Sequence, residues 1–142
     1  MTDPAGRCLL PLPLPEPRTE RSALFAIRRM AAHGVRDVSA AWLMIDCYST
    51  GFRRPLVLLR AFMLELAHAA NGPIRIAPCC APRMTHDEGL IVKTLRLAAS
   101  DEAAAADALS ELVPRDHLCE PLSAAAVFAR ATAEFALTRH QR

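Results

Sequence analysis

The sequence predicts an all-α fold, a compact bundle of about six helices behind an extended Pro-rich leader. Ala and Leu dominate a chain that is 52% hydrophobic, a helix-former's composition. Apolar residues recur at three- and four-residue spacings inside segments bounded by capping residues, Gly and Pro. A length of 142 residues suits one domain, and this apolar content builds a core that needs neither disulfides nor metal. Aromatic residues are only 5% of the chain, so the packing falls to Leu, Ala, Ile, Val and Met.

Residues 1–18 read as the leader and 19–142 as one helical domain. The run from Leu10 to Pro17 places Pro at alternate positions, which fixes φ and removes backbone donors. It is therefore extended and polyproline-like, packed loosely on the domain or mobile. The first helix spans about Glu20 to His33, capped by Thr19 and ended by a left-handed Gly34. Leu24, Ile27 and Ala31 share its apolar face, and Arg21 and Arg28 lie toward another. The second helix, about Val38 to Tyr48, starts at Asp37 and is apolar almost all round, which predicts a central position.

Pro55 suits the first position of a third helix, which runs to His68 and stops at Asn71-Gly72. Pro73 to Pro78 is a short extended piece with the alternation of an edge strand but no evident partner, and Cys79 to Met84 continue as loop. Thr85 and Glu88 make a capping box for a fourth helix, to about Ala99. Ser100, Asp101 and Glu102 open a fifth, to about Val113, where Pro114 breaks it. Pro121 opens a sixth, to about Thr138, with Phe128 and Phe135 on one face.

Charge excludes some functions. The net charge is +2 and the pI about 8.4, too weak a basic balance for nucleic acid. A helix-turn-helix reading of Ala26 to Leu43 fails because the second helix, from Val38 to Ile45, offers almost no group that contacts bases or phosphates. The longest apolar stretch, Pro55 to Ala70, carries Arg60 and Glu65 near its middle, which argues against a membrane span. The start of the chain lacks the pattern of a signal peptide. These features predict a cytoplasmic protein whose five cysteines are mostly reduced. Gly-rich phosphate loops and H-E-x-x-H are absent from the sequence.

The most unusual segment is Ala77 to Glu88, which holds two adjacent thiols, an arginine, a histidine and two carboxylates between prolines and a helix start. Cys79, Cys80 and His86, joined by His117 and Cys119 from the later linker, are donors for zinc or another thiolate-bound metal. The spacing matches no strong signature, and adjacent cysteines in extended chain point to opposite sides. A Cys80–His86 nucleophile and base is a second reading. A strained, easily reduced Cys79–Cys80 disulfide is a third. A purely structural loop, stiffened by Pro78 and Pro82, accounts for the same residues.

Arg53 and Arg54 stand at the start of the third helix, where guanidinium groups and free amides suit an anion or a partner's carboxylate. The plainer alternative ties them to a local acid such as Asp46. His33, His68 and His140 read as helix-end or packing residues.

Three strings carry a resemblance: Phe25 to Gly34, Phe52 to Ala61, and Ala77 to Glu88. On these the chain resembles a small bacterial family of unknown function, over about Ser22 to Leu97. The resemblance implies a bacterial cytoplasmic protein and brings no activity, cofactor or site residue. The functional expectation is a non-enzymatic helical interaction or regulatory module. It would bind another protein through a loop-rich side carrying Arg53, Arg54 and Arg83. The alternative is a metal-binding or thiol redox module centred on Cys79 and Cys80.

Overall fold

A computed structural model describes residues 10–140, with side chains through Phe135. Among the described residues the chain forms six α-helices: α1 Arg18–His33, α2 Val38–Tyr48, α3 Arg53–Ala69, α4 His86–Leu97, α5 Glu102–Leu109 and α6 Cys119–His140. One-turn 3-10 helices occupy Ser49–Gly51 and Arg115–His117. The only regular β structure among these residues is an antiparallel pair, β1 Leu12–Pro13 against β2 Arg83–Met84. The architecture is the all-α bundle that composition and periodicity predict.

The core follows from helix spacing. Leu56, Leu59, Phe62 and Leu66 lie three and four apart on α3 and are buried, as the inner stripe of an amphipathic helix requires. α3 packs chiefly on α6, α1 on α2, and α4 on α5. Met44 and Tyr48 of α2, Ile91 of α4, Leu109 of α5 and Phe128 of α6 close the main core. Tyr48 meets Phe135 edge to face at 4.9 Å between ring centroids. A smaller cluster of Leu24, Met84 and Val92 receives Leu12 and Leu14 of the leader. Gly89 makes this packing close, since a Cβ there would run into the Leu12 side chain.

Local signals fix several boundaries. Asp37 accepts from the Ala40 amide at 3.0 Å and starts α2. Thr85 and Glu88 form the reciprocal capping box of α4. Gly34 ends α1 with φ +99° and ψ 159°, and its amide donates to the Met30 carbonyl. Side chains rarely tolerate that backbone region.

Elsewhere the structure departs from expectation. α1 begins at Arg18, not Glu20, and Pro17 rather than Thr19 holds the cap position without a side-chain bond. The Pro17 carbonyl accepts from the Arg21 amide at 3.0 Å, which starts the helix without help from Thr19. α3 and α6 each begin two residues before their prolines. Pro tolerates any place in a first turn, where amides lack intrahelical partners. Val113 lies beyond α5, because the chain leaves the helix at Ser110 and tightens into turns ahead of Pro114. Pro73 to Pro78 forms no strand; Arg83 and Met84, expected as loop, form one instead, paired with Leu12 and Pro13 of the leader.

Two corrections concern faces of helices. α2 is not central: Ala40, Met44, Cys47 and Tyr48 are buried, but Val38 is 68% and Trp42 63% exposed. An all-apolar helix carries no signal of which side is covered. Arg28, expected on a different face from Leu24 and Ile27, is only 1% exposed, and its burial is explained by the partners described below.

Gly34→Ala forces a Cβ into a positive-φ backbone with nothing within 4 Å of it. It should cost about 1–3 kcal/mol of unfolding free energy. Gly72→Ala, which also meets nothing within 4 Å and has no positive φ, should be near neutral. Denaturant midpoints of the two variants check this.

Candidate functional site

The segment between α3 and α4 is irregular, so its backbone needs partners outside a helix or sheet. It finds them in a buried ion pair. Arg28 of α1 donates through Nε to Glu88 Oε2 at 2.7 Å and through Nη2 to Oε1 at 3.1 Å. Both side chains are fully buried. Arg28 also donates to the carbonyls of Ala81 (2.9 Å) and Arg83 (2.8 Å). Glu88 accepts from the amides of Thr85 (2.9 Å) and Ala77 (3.3 Å). Thr85 adds a bond to the Arg75 carbonyl at 2.7 Å. Among the described residues no buried side-chain polar atom lacks a partner. This satisfaction is what makes a buried pair tolerable, since desolvating two charges is costly.

The pinned points, Ala77 and Ala81, flank a tight turn in which Ala81 donates to the Pro78 carbonyl at 3.0 Å. Its two central residues are Cys79 and Cys80, both exposed and free. The turn removes the extended geometry that would send adjacent side chains to opposite sides. Cys79 reaches an open groove of about 510 Å³ lined by Phe25, Arg29, Ser39, Trp42, Leu43 and Asp46. The Phe25 ring is shared, with the Arg28 guanidinium 5.7 Å from its centroid.

Ion pairs stand at both ends of the groove. Arg29 donates to both carboxylate oxygens of Asp37, at 3.1 and 3.2 Å. That bond, ahead of the Ala40 amide, holds the Asp37 carboxyl below its ordinary range. The Arg29 guanidinium is correspondingly raised, first by Asp37 and in smaller part by the neighbouring Cys79. At the other end Arg18 donates to the Asp46 carboxylate and carbonyl, each at 3.0 Å.

The residues singled out from sequence fall in several places. Arg83 donates to the carbonyls of Leu10 (3.0 Å) and Pro11 (2.8 Å) and so holds the leader. Arg54 pairs with Glu134 of α6 at 3.3 Å, and the Arg53 guanidinium lies 6.0 Å from the Phe52 ring centroid. Asp46, the acid considered for Arg53 and Arg54, is taken by Arg18. His86 Nε2 lies 3.7 Å from Glu111, and His117 Nε2 lies 3.9 Å from its neighbour Asp116. Cys119 is exposed and free at the start of α6. Among the described residues no three His, Cys, Asp or Glu side chains gather to hold a metal ion. No helix among them is long and apolar enough to cross a membrane.

Sequence reasoning missed Arg28, Arg29, Phe25 and Trp42. One signal was available for Arg28: it lies four residues after Leu24, on the stripe that includes Leu24 and Ile27. An arginine in that stripe points to a buried acid, and Glu88 already stood out in the capping box.

A model of a family of unknown function, DUF6628, matches residues 1–140. The chain belongs to that family. No curated protein and no solved structure matches it.

Removing one partner of the buried pair leaves the other charge uncompensated. Arg28→Met should therefore cost about 3–5 kcal/mol. Arg28→Met with Glu88→Gln should cost less than the sum of the two single changes, since the surviving side chain is then neutral. Urea unfolding of the three variants measures the coupling.

Proposed function

We propose that this member of the family is a non-enzymatic helical interaction module that docks through α2, with a second copy of the chain as its partner. The observation that carries the reading is the exposed face of α2. Val38 and Trp42 are largely exposed and Ile45 is half-buried. They stand at i, i+4 and i+7, the anchor spacing of a helix that lies in an apolar groove. The groove lined by Phe25, Trp42 and Leu43 borders the same helix. Ridge and groove on one patch are what a two-fold interface needs, because each copy supplies both.

Charge supports the same partner. The Arg29–Asp37 and Arg18–Asp46 pairs balance the patch at each end, so two identical patches meet without like-charge repulsion. Trp is also the residue most often found at the centre of interface energetics. The arginines expected to form a contact surface are otherwise engaged, Arg83 by the leader and Arg54 by Glu134. The reading takes the chain as a bacterial cytoplasmic protein, in keeping with its four free described thiols.

Sedimentation over a range of concentrations tests this. The wild type should associate to a dimer. Trp42→Ala should weaken association by about thirtyfold, the equivalent of a 2 kcal/mol anchor. At concentrations low enough to keep both proteins monomeric, its melting temperature should hardly change, because Trp42 is largely exposed in the single chain. As the sole Trp, Trp42 should also shift its emission to the blue on association. A wild type that stays monomeric throughout, or a dimer indifferent to Trp42→Ala, overturns the reading.

A further inference from the structure

We propose that Cys79 and Cys80 form a dithiol exchange site for low-molecular-weight disulfides, with Cys79 as the attacking thiol and Cys80 as the resolving one. Both thiols are free and exposed, and they occupy the centre of one hydrogen-bonded turn. The turn is held from below by Glu88 on the Ala77 amide and Arg28 on the Ala81 carbonyl, so the two sulfurs are presented by a fixed base. Cys79 alone reaches the groove, where Arg29 stands beside it and Phe25, Trp42 and Leu43 supply apolar walls. Arg29 also puts a cation in the groove beside Cys79, where it can meet a carboxylate of an incoming disulfide such as oxidised glutathione. The groove gives an incoming disulfide a place to lie. Cys47 offers a contrast: it is buried in the core, where a thiol is inert.

The exchange balances in two steps. The Cys79 thiolate attacks one sulfur of the small disulfide. A Cys79–sulfur bond forms, the original S–S bond breaks, and the leaving thiolate takes up the proton that Cys79 released. The Cys80 thiolate then attacks the Cys79 sulfur, forming the Cys79–Cys80 bond and releasing the second small thiol, which takes the Cys80 proton. The protein dithiol is oxidised by two electrons and the small disulfide is reduced to two thiols. Because bridging adjacent residues strains the ring, excess small thiol reverses the reaction readily.

This proposal goes beyond the docking role of the groove, although an adduct on Cys79 and a docked second copy compete for the same space. The test therefore uses full-length wild type and also Val38→Ser, a change on the docking face but outside the groove lining, so that a failure of docking leaves the thiol result readable. Reduced protein is exposed to oxidised glutathione and followed by intact-mass and peptide mass spectrometry. The wild type should converge on a species two hydrogens lighter, with the new bond in the Cys79–Cys80 peptide. Cys80→Ser should hold the glutathione adduct on Cys79, formed several-fold faster than on the exposed Cys119. Arg29→Gln should remove that advantage while leaving the helical circular dichroism intact. Equal rates at Cys79 and Cys119 would overturn the proposal, as would a wild type that stops at the mixed disulfide.

Discussion

The Arg28–Glu88 pair decides how the chain between α3 and α4 is placed. That connection has almost no regular structure of its own, yet Ala77, Ala81, Met84 and Thr85 are buried. Buried irregular backbone requires hydrogen-bond partners, and the pair supplies them. One guanidinium serves two carbonyls and a carboxylate, and one carboxylate serves two amides and the guanidinium. A buried ion pair is a weak source of stability in itself. Its value here lies in position: it sets the path of the connection relative to α1 and α4.

The outer surface follows from that placement. With Ala77 and Ala81 fixed, the turn between them faces outward and delivers Cys79 to the edge of the α1–α2 groove. Phe25 lies over the same guanidinium and forms part of the groove wall. The leader is fixed from the other side of the connection, where Arg83 bonds its carbonyls and Leu12 packs against Gly89. Core, groove, thiol turn and leader thus meet around a single charged contact.

How much of this was legible depends on the range of the interaction. Asp37, Gly34 and the Thr85–Glu88 box act within a few residues, and sequence spacing predicts each of them. The helix count follows for the same reason. The leader's strand pairing joins residues about seventy positions apart, and nothing in Leu12 or Pro13 names Arg83 as a partner. The open face of α2 depends on what fails to cover it, which an all-apolar helix does not record. Arg28 stands between these cases, since its place on the Leu24 stripe conflicts with its charge, and such a conflict marks a buried partner. The cysteine turn was visible as a composition, but the link from Cys79 to Arg29 and Trp42 exists only once α1, α2 and the connection are packed together.

Native-state hydrogen exchange tests most directly whether the buried pair holds the connection. The amides of Ala77 and Thr85, which donate to Glu88, should be protected nearly as strongly as those of Leu59 and Phe62 in the α3 core, opening only with global unfolding. The exposed turn at Cys79 and Cys80, a few residues away, should exchange far faster. If Ala77 and Thr85 instead exchange as fast as that turn, the Arg28–Glu88 pair does not fix the connection, and the placement of the groove edge and the thiols must have another cause.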